Sequence, residues 1–170
     1  MKNVLVICTL LCAAALLLNA CNKEKELVRL NVRLTDNPTN FQKVNVDIRE
    51  LRVKMAGDSS QWLILSTNAG VYNLLDFQNG LDTLLATGTV PGDVLMELRF
   101  LLGDNNSVVI DGVQFPLDAP SAQDSGLKIK VDQALDLNIN TLTLDFDAQQ
   151  SILQTGAGAY KLKPVIRIKS

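Results

Sequence analysis

Apolar and polar residues alternate along most of the chain from Leu27 onward. The segment 27–35 places valine or leucine at every second position, with arginine or asparagine between them. A period of two is typical of a half-buried β-strand, whereas an amphipathic helix repeats every 3.6 residues. The same alternation recurs at 44–48, 51–55, 94–102, 127–131, 135–139, 142–146 and 160–168.

The alternation changes phase once inside a single apolar stretch. Its apolar residues stand at even positions up to Ile48 and at odd positions from Leu51 to Met55. One extra residue near Arg49 and Glu50 would produce this change, so we predict a β-bulge there.

Turn residues punctuate these stretches at regular intervals. Asn79-Gly80, Pro91-Gly92 and Asp111-Gly112 are examples, and glycine suits turns that require a positive φ. Eight or nine strands at such spacing predict an all-β fold, an antiparallel β-sandwich, in one domain over residues 27–170. The stretch 76–86 is ambiguous, because Leu81, Leu84 and Leu85 also fit a short helix.

The N-terminus follows a different pattern, which predicts an exported protein. Lys2 precedes an apolar run from Val4 to Leu18, and its length of about 22 Å is short for a membrane span. The run ends in Leu18-Asn19-Ala20-Cys21, which resembles the bacterial lipobox. We expect a signal peptide over residues 1–20, a lipidated Cys21 and a charged tether over residues 21–26. An ordinary signal peptide with a chance cysteine is the alternative.

Cysteine usage agrees with that interpretation. Cys8 and Cys12 lie in the leader, so the mature chain has Cys21 alone and cannot form an internal disulfide. Several acyl chains on Cys21 would anchor the protein stably to a membrane. No aspartate directly follows Cys21, which favours the outer membrane, on its periplasmic face or at the cell surface.

Composition excludes several function classes. Sixteen Lys and Arg residues against eighteen Asp and Glu give a net charge of −2, unlike the strongly basic surface of a nucleic-acid binder. The chain has no histidine, which excludes a Ser-His-Asp triad and a histidine-ligated zinc. We expect no cofactor and no nucleic-acid partner.

Two aspartates form the sharpest candidate for chemistry. Asp145 and Asp147 alternate with inward residues, so both should project from one strand face about 7 Å apart. Paired catalytic carboxylates and a Ca²⁺ site are two interpretations. The favoured one is structural ion pairing with Lys161, Lys163 and Arg167 on a returning strand.

Other charged residues have similar alternatives. Asp36 fits a turn in which its side chain bonds its own backbone, with a metal or ligand role as the alternative. Glu97 and Arg99 share one strand face and are candidates for an ion pair, either with each other or each with a separate partner. Five lysines could form a basic stripe for an acidic glycan or for lipid headgroups, although a solvated face is favoured. These are Lys128, Lys130, Lys161, Lys163 and Lys169.

Several short sequence motifs occur together in an order that points to a known family. They include Leu34-Thr35-Asp36-Asn37-Pro38, Tyr72-Asn73-Leu74-Leu75-Asp76, Leu144-Asp145-Phe146-Asp147-Ala148 and Tyr160-Lys161-Leu162-Lys163-Pro164. Over residues 27–168 the chain resembles the bacterial lipoprotein family called domain of unknown function 4382. The resemblance implies an Ig-like or prealbumin-like sandwich, exported and often lipid-anchored, with no established activity. Asp93-Val94 departs from the aromatic residue more usual at that strand entry.

The leading hypothesis is therefore a lipid-anchored, non-catalytic β-sandwich of the outer membrane, acting in adhesion, assembly or ligand binding. It would contact the membrane through its lipid and a protein or a glycan through its surface. The alternative is a carbohydrate- or Ca²⁺-binding module. A glycan-active enzyme that uses the paired aspartates is third.

Overall fold

The domain is built from two facing β-sheets, as predicted. The computed structural model describes residues 25–119, 122, 125–137 and 139–169. Strands dominate this part of the chain and helix is almost absent, which confirms the sandwich-like all-β class. The predicted signal peptide, Cys21 and most of the tether lie outside the described residues.

The smaller sheet has five strands. They are β1 (Leu27–Thr35), β4 (Ser66–Thr67), β6 (Thr83–Pro91), β11 (Asn140–Phe146) and β14 (Ile166–Lys169). Their order across the sheet is β14-β11-β1-β6-β4. The neighbouring strands β1 and β11 are parallel. The chain enters β11 from β10 of the other sheet, so no hairpin joins the two strands. Both sheets are mixed, so the expectation of a purely antiparallel sandwich is wrong in this respect.

The larger sheet has nine strands. They are β2 (Lys43–Met55), β3 (Asp58–Ile64), β5 (Gly70–Asn73), β7 (Val94–Leu102), β8 (Ser107–Ile110), β9 (Val113–Asp118), β10 (Leu127–Ala134), β12 (Ile152–Gln154) and β13 (Tyr160–Leu162). The main order is β10-β7-β2-β8-β9-β13-β12, and β3 and β5 pair with the other edge of β2. The short pair of β9 and β13 is parallel.

The described residues contain fourteen strands, more than the eight or nine predicted. The difference comes from strands too short to show an alternating pattern. After β3, the Leu65 amide donates to the Leu51 carbonyl at 3.0 Å, and the chain then crosses to pair β4 with β6. It returns at once as β5 on β2.

The predicted bulge is confirmed in β2. Its register against β7 shifts between Ile48 and Glu50. Ile48, Leu51 and Met55 are all buried, so the extra residue keeps both halves of the strand in contact with the core.

The core fills the space between the two sheets with alternate residues from each strand. Phe100 and Phe146 are its largest fully buried side chains. The buried apolar residues form one cluster, whose members lie between Val28 and Leu162 in the sequence. Burial of this apolar surface is the main stabilising contribution to the fold.

Among the residues that the structure describes, helical structure occurs in short connections. These include η1 (Leu74–Phe77), α1 (Ala148–Ser151) and η2 (Gly156–Gly158). In the part of the chain that the structure describes, no helix has the length and apolarity required to cross a membrane. The ambiguous stretch is resolved by Asn79 and Gly80, whose φ angles of 57° and 88° end the helical segment. Leu84 and Leu85 belong to strand β6, so the short helix suggested for them is wrong.

A buried carboxylate fixes the loop after β7. Asp47 projects from β2 away from the core and is fully buried. Its Oδ2 accepts from Arg49 Nη2 at 2.7 Å and from the backbone amide of Asn105 at 3.2 Å. Because a Cβ on Gly103 would lie 2.4 Å from this oxygen, a glycine there allows the loop to close over Asp47.

Candidate functional site

Three cations lie side by side on the outer face of the larger sheet. Arg99 of β7 is opposite Arg52 of β2 on one side and opposite Lys128 of β10 on the other. We call Arg52, Arg99 and Lys128 the cation row. Neighbouring strands are about 4.8 Å apart, and like charges directly opposite each other destabilise a sheet. The fold therefore holds positive charge together here at a cost in stability.

Aromatic and acidic neighbours stabilise part of this row. The Arg99 guanidinium carbon lies 4.1 Å from the centroid of the Trp62 ring, and Lys54 Nζ lies 5.8 Å from it. Arg52 forms an ion pair with Glu50. Arg99 Nε is buried and has no hydrogen-bond partner among the described atoms.

The next row along the same strands alternates in charge. Glu97 lies between Lys54 of β2 and Lys130 of β10 in the register. Lys130 Nζ also lies 2.9 Å from Asp132 Oδ2, and this hydrogen bond raises the pKa of Lys130. Of the two alternatives for Glu97 and Arg99, the structure favours separate partners, since the register sets Glu97 between lysines while Arg99 stacks on Trp62.

A groove of about 930 Å³ runs beside the cation row. Its opposite wall contains Lys161 of β13 and Lys163, both exposed. The cation row, Lys161 and Lys163 together form what we call the basic groove. Asp118, opposite Lys161 in the register, is the one carboxylate among its described lining residues. Leucines supply apolar surface between the charges: Leu101, Leu127, Leu153 and Leu162.

Gly126 allows one wall of the groove to pack closely. Its φ of +72° lies in the left-handed region, which favours glycine. A Cβ at this position would lie 2.8 Å from Arg99 Cγ and 2.8 Å from the Phe100 carbonyl oxygen. The glycine therefore brings the start of β10 close against the Arg99 side chain.

The aspartates singled out in the sequence lie elsewhere, at one end of the smaller sheet. Asp145 Oδ2 accepts from Asn37 Nδ2 at 2.6 Å. Asp147 accepts from the backbone amide of Gln150 at 2.9 Å and caps helix α1. Neither forms an ion pair among the described residues, so their predicted pairing with Lys161 and Lys163 is a wrong assignment.

The register explains that correction. Strand β11 pairs with β14, which sets Arg167 opposite Asp145. Arg167 Nη2 donates instead to Gln150 Oε1 at 3.2 Å. Lys161 belongs to β13, which pairs with β9 and β12 of the larger sheet, and Lys163 follows it.

Asp36 is buried beside Asp145, with only 4% of its surface exposed. Its two oxygens accept from the Ala148 amide at 3.0 Å and from Gln78 Nε2 at 2.8 Å. Burial raises the pKa of Asp36, and the negative charge of Asp145 adds to this effect. Asp36 thus joins three loops, a wider role than the local turn expected from the sequence. Within the described ranges, no three acidic or cysteine side chains are grouped as a metal site would require.

The comparison with known families bears on the whole domain. Residues 28–164 match the family described as domain of unknown function (DUF4382). The chain belongs to this family. The resemblance to this domain of unknown function is confirmed, and the entire basic groove lies inside the matched DUF4382 region. The chain has no match among curated proteins.

Sequence reasoning found four of the five groove cations but missed Arg52 and the groove itself. Lys128, Lys161 and Lys163 belong to the suggested basic stripe, and Arg99 was expected in an ion pair. The available signal was an outward cation in each of β2, β7 and β10. The strand order that makes these residues neighbours is set by contacts distant in sequence.

Proposed function

We propose that this DUF4382 protein is an exported, lipid-anchored, non-catalytic domain that binds anionic ligands in its basic groove. The observation that carries the proposal is the convergence of five cations on one groove, with a single carboxylate among the described lining residues. Clefts lined by one sign of charge concentrate ligands of the opposite sign. A protein or a glycan partner at the outer membrane would supply such a ligand.

The unfavourable charge pattern supports binding over a purely solvated face. Opposite charges that face each other across neighbouring strands stabilise a sheet, as in the row that contains Glu97. In the cation row, Arg99 has a cation on each side. Sites that violate a local stability rule are expected where function requires it.

The surroundings of Asp36 and Asp147 support a non-catalytic role. Both Asp36 oxygens accept hydrogen bonds within the fold, and the two Asp147 oxygens accept from the backbone and side chain of Gln150. A general acid or base must instead reach the substrate proton it transfers. These carboxylates connect loops, and the basic groove offers a surface for binding.

The anchoring part of the proposal concerns Cys21. The described domain begins four residues later, where Lys25 forms an ion pair with Asp93 and the Glu26 carbonyl accepts from the Gly92 amide. A lipid on Cys21 would hold this end of the sandwich close to a membrane.

Replacement of the cysteine tests the anchor. We expect Cys21→Ser to abolish labelling by radioactive palmitate and to move the protein from the membrane fraction to the soluble fraction. Cys12→Ser is the matched control, because it changes a leader cysteine and should leave labelling intact. Unchanged labelling in Cys21→Ser would contradict the assignment.

Anion binding is tested by fluorescence of Trp62, the single tryptophan of the chain. Full-length protein in a non-ionic detergent is titrated with tripolyphosphate and with heparin, both polyanions. We expect a saturable change that is lost in Lys161→Gln/Lys163→Gln and retained in Lys43→Gln, an exposed lysine outside the groove. A wild-type protein that responds to neither polyanion would refute the proposed function.

A further inference from the structure

We propose that the basic groove holds an acidic polysaccharide, a linear chain with one carboxylate on each sugar, laid across the strands along the cation row. The inference rests on the proposed anion binding and narrows its ligand to one chemical class.

The linear geometry of the cation row points to a polymer. Arg52, Arg99 and Lys128 stand on three adjacent strands, so the backbone positions of the outer two are about 10 Å apart. An anion smaller than this span can lie directly over only part of the row. A chain that carries one charge per sugar presents its anions in the same linear series and can engage each cation in turn.

The nature of the central cation points to a carboxylate. The guanidinium of arginine is a planar fork that matches the two oxygens of a carboxylate. In Arg99 this fork is oriented by the Trp62 ring on one side and by the close approach of Gly126 along its stem. A cation fixed in this way loses little conformational entropy on binding.

The rest of the groove suits a sugar chain. Leu101 and Leu127 offer apolar surface on which the hydrophobic faces of sugar rings can lie. Lys161 and Lys163 approach from the opposite wall and can meet acidic groups on the other side of the chain. Trp62 has one face covered by Arg99, so the chain is recognised by charge and apolar contact rather than by stacking on an open aromatic ring.

A length series of oligogalacturonates tests the inference, with Trp62 fluorescence of the full-length protein in a non-ionic detergent as the readout. We expect affinity to rise at least about tenfold from the monosaccharide to the trisaccharide, because three linked charges engage the row together. Neutral maltotriose is the ligand control and should give no response. Lys128→Gln should remove most of the gain, and Lys43→Gln should leave it unchanged.

A charge-conserving variant examines the carboxylate preference. Arg99→Lys keeps the positive charge but lacks the planar fork, so it should lose affinity for trigalacturonate while retaining affinity for tripolyphosphate. Circular dichroism of each variant confirms that it is folded. Equal losses for both ligands would overturn the assignment of Arg99 to carboxylate binding.

The outcomes separate this inference from the proposed function. Equal affinity for galacturonate monomer and trimer would overturn the polymer inference, as would tighter binding of tripolyphosphate or of a single-stranded oligonucleotide than of trigalacturonate. In those cases anion binding itself would stand. Absence of any response to all anions would refute both proposals.

Discussion

The guanidinium carbon of Arg99 lies 4.1 Å from the centroid of the Trp62 ring, in the middle of a row of cations. The two residues come from strands separated by β2, and their contact crosses that strand on the outer face of the larger sheet. Cation–π contacts contribute about 0.5–1 kcal/mol when exposed and about 2 kcal/mol when desolvated. This contact holds a positive charge in place beside two others that repel it.

A double-mutant cycle measures this contact. We expect Trp62→Leu and Arg99→Gln to show a coupling free energy of about 0.5–2 kcal/mol in urea unfolding followed by circular dichroism. The same cycle with Lys54→Gln should give a smaller coupling, because Lys54 Nζ is 5.8 Å from the ring. A coupling of zero between Trp62 and Arg99 would show that the ring does not stabilise the guanidinium.

The charge repulsion in the row leads to a second prediction. Lys128 is exposed and lies opposite Arg99, so Lys128→Gln should raise the free energy of unfolding by about 0.2–1 kcal/mol. The same substitution should weaken binding of polyanions. Lys43→Gln is the control for both effects, since Lys43 pairs in register with Val109 rather than with another cation. A Lys128→Gln variant that is less stable than the wild type would contradict the view that Lys128 and Arg99 repel each other in the folded state.

The sandwich could be predicted because its signal is local. Alternation identifies which residues of β1, β2 and β7 face the core, and the phase change near Glu50 identifies the bulge. Those patterns depend only on neighbouring residues and on the two-residue period of a strand. The two-residue strand β4 has too few positions to show a period, and it could not have been found in this way.

The candidate site depends on register, which local patterns do not determine. The pattern predicts Lys161, Lys163 and Arg167 opposite the face of Asp145, but the strand beside β11 is β14, which brings Arg167 there and leaves both lysines in the other sheet. Arg52 and Lys128 are 76 positions apart and become near neighbours only because β7 lies between their strands. Pairings between distant segments are set by the whole core, so the basic groove could not be read from the sequence alone.

Substitution of two glycines can separate the effect of packing at the groove on stability from the effect of backbone strain. Gly126 and Gly112 have φ angles of +72° and +77°, but a Cβ would touch Arg99 and Phe100 only at Gly126. Gly112→Ala should therefore cost about 1–2 kcal/mol of stability through its left-handed backbone alone. Gly126→Ala should cost more and should also weaken binding of polyanions, because Arg99 must shift. Equal losses of stability in thermal or urea unfolding would show that the contact with Arg99 is unimportant.

The buried carboxylate of Asp36 gives the fold a specific pH dependence. Burial, with a smaller contribution from Asp145, raises its pKa above the ordinary value of 3.8. The folded state therefore binds this proton more tightly than the unfolded state does. The resulting stabilisation is complete below pH 3.8 and is lost as the pH rises through the raised pKa.

Asp36→Asn should remove this dependence. The difference in free energy of unfolding between wild type and variant should decrease as the pH rises above 3.8 and then become constant. Asp82→Asn is the matched control, because hydrogen bonding to Arg33 lowers the pKa of Asp82 below the same ordinary value. Its contribution is present above pH 3.8 and is lost as the pH falls through the lowered pKa, so the two variants should differ from wild type in separate pH windows. A pH-independent difference for Asp36→Asn would show that the carboxylate has the same proton affinity in the folded and unfolded chains.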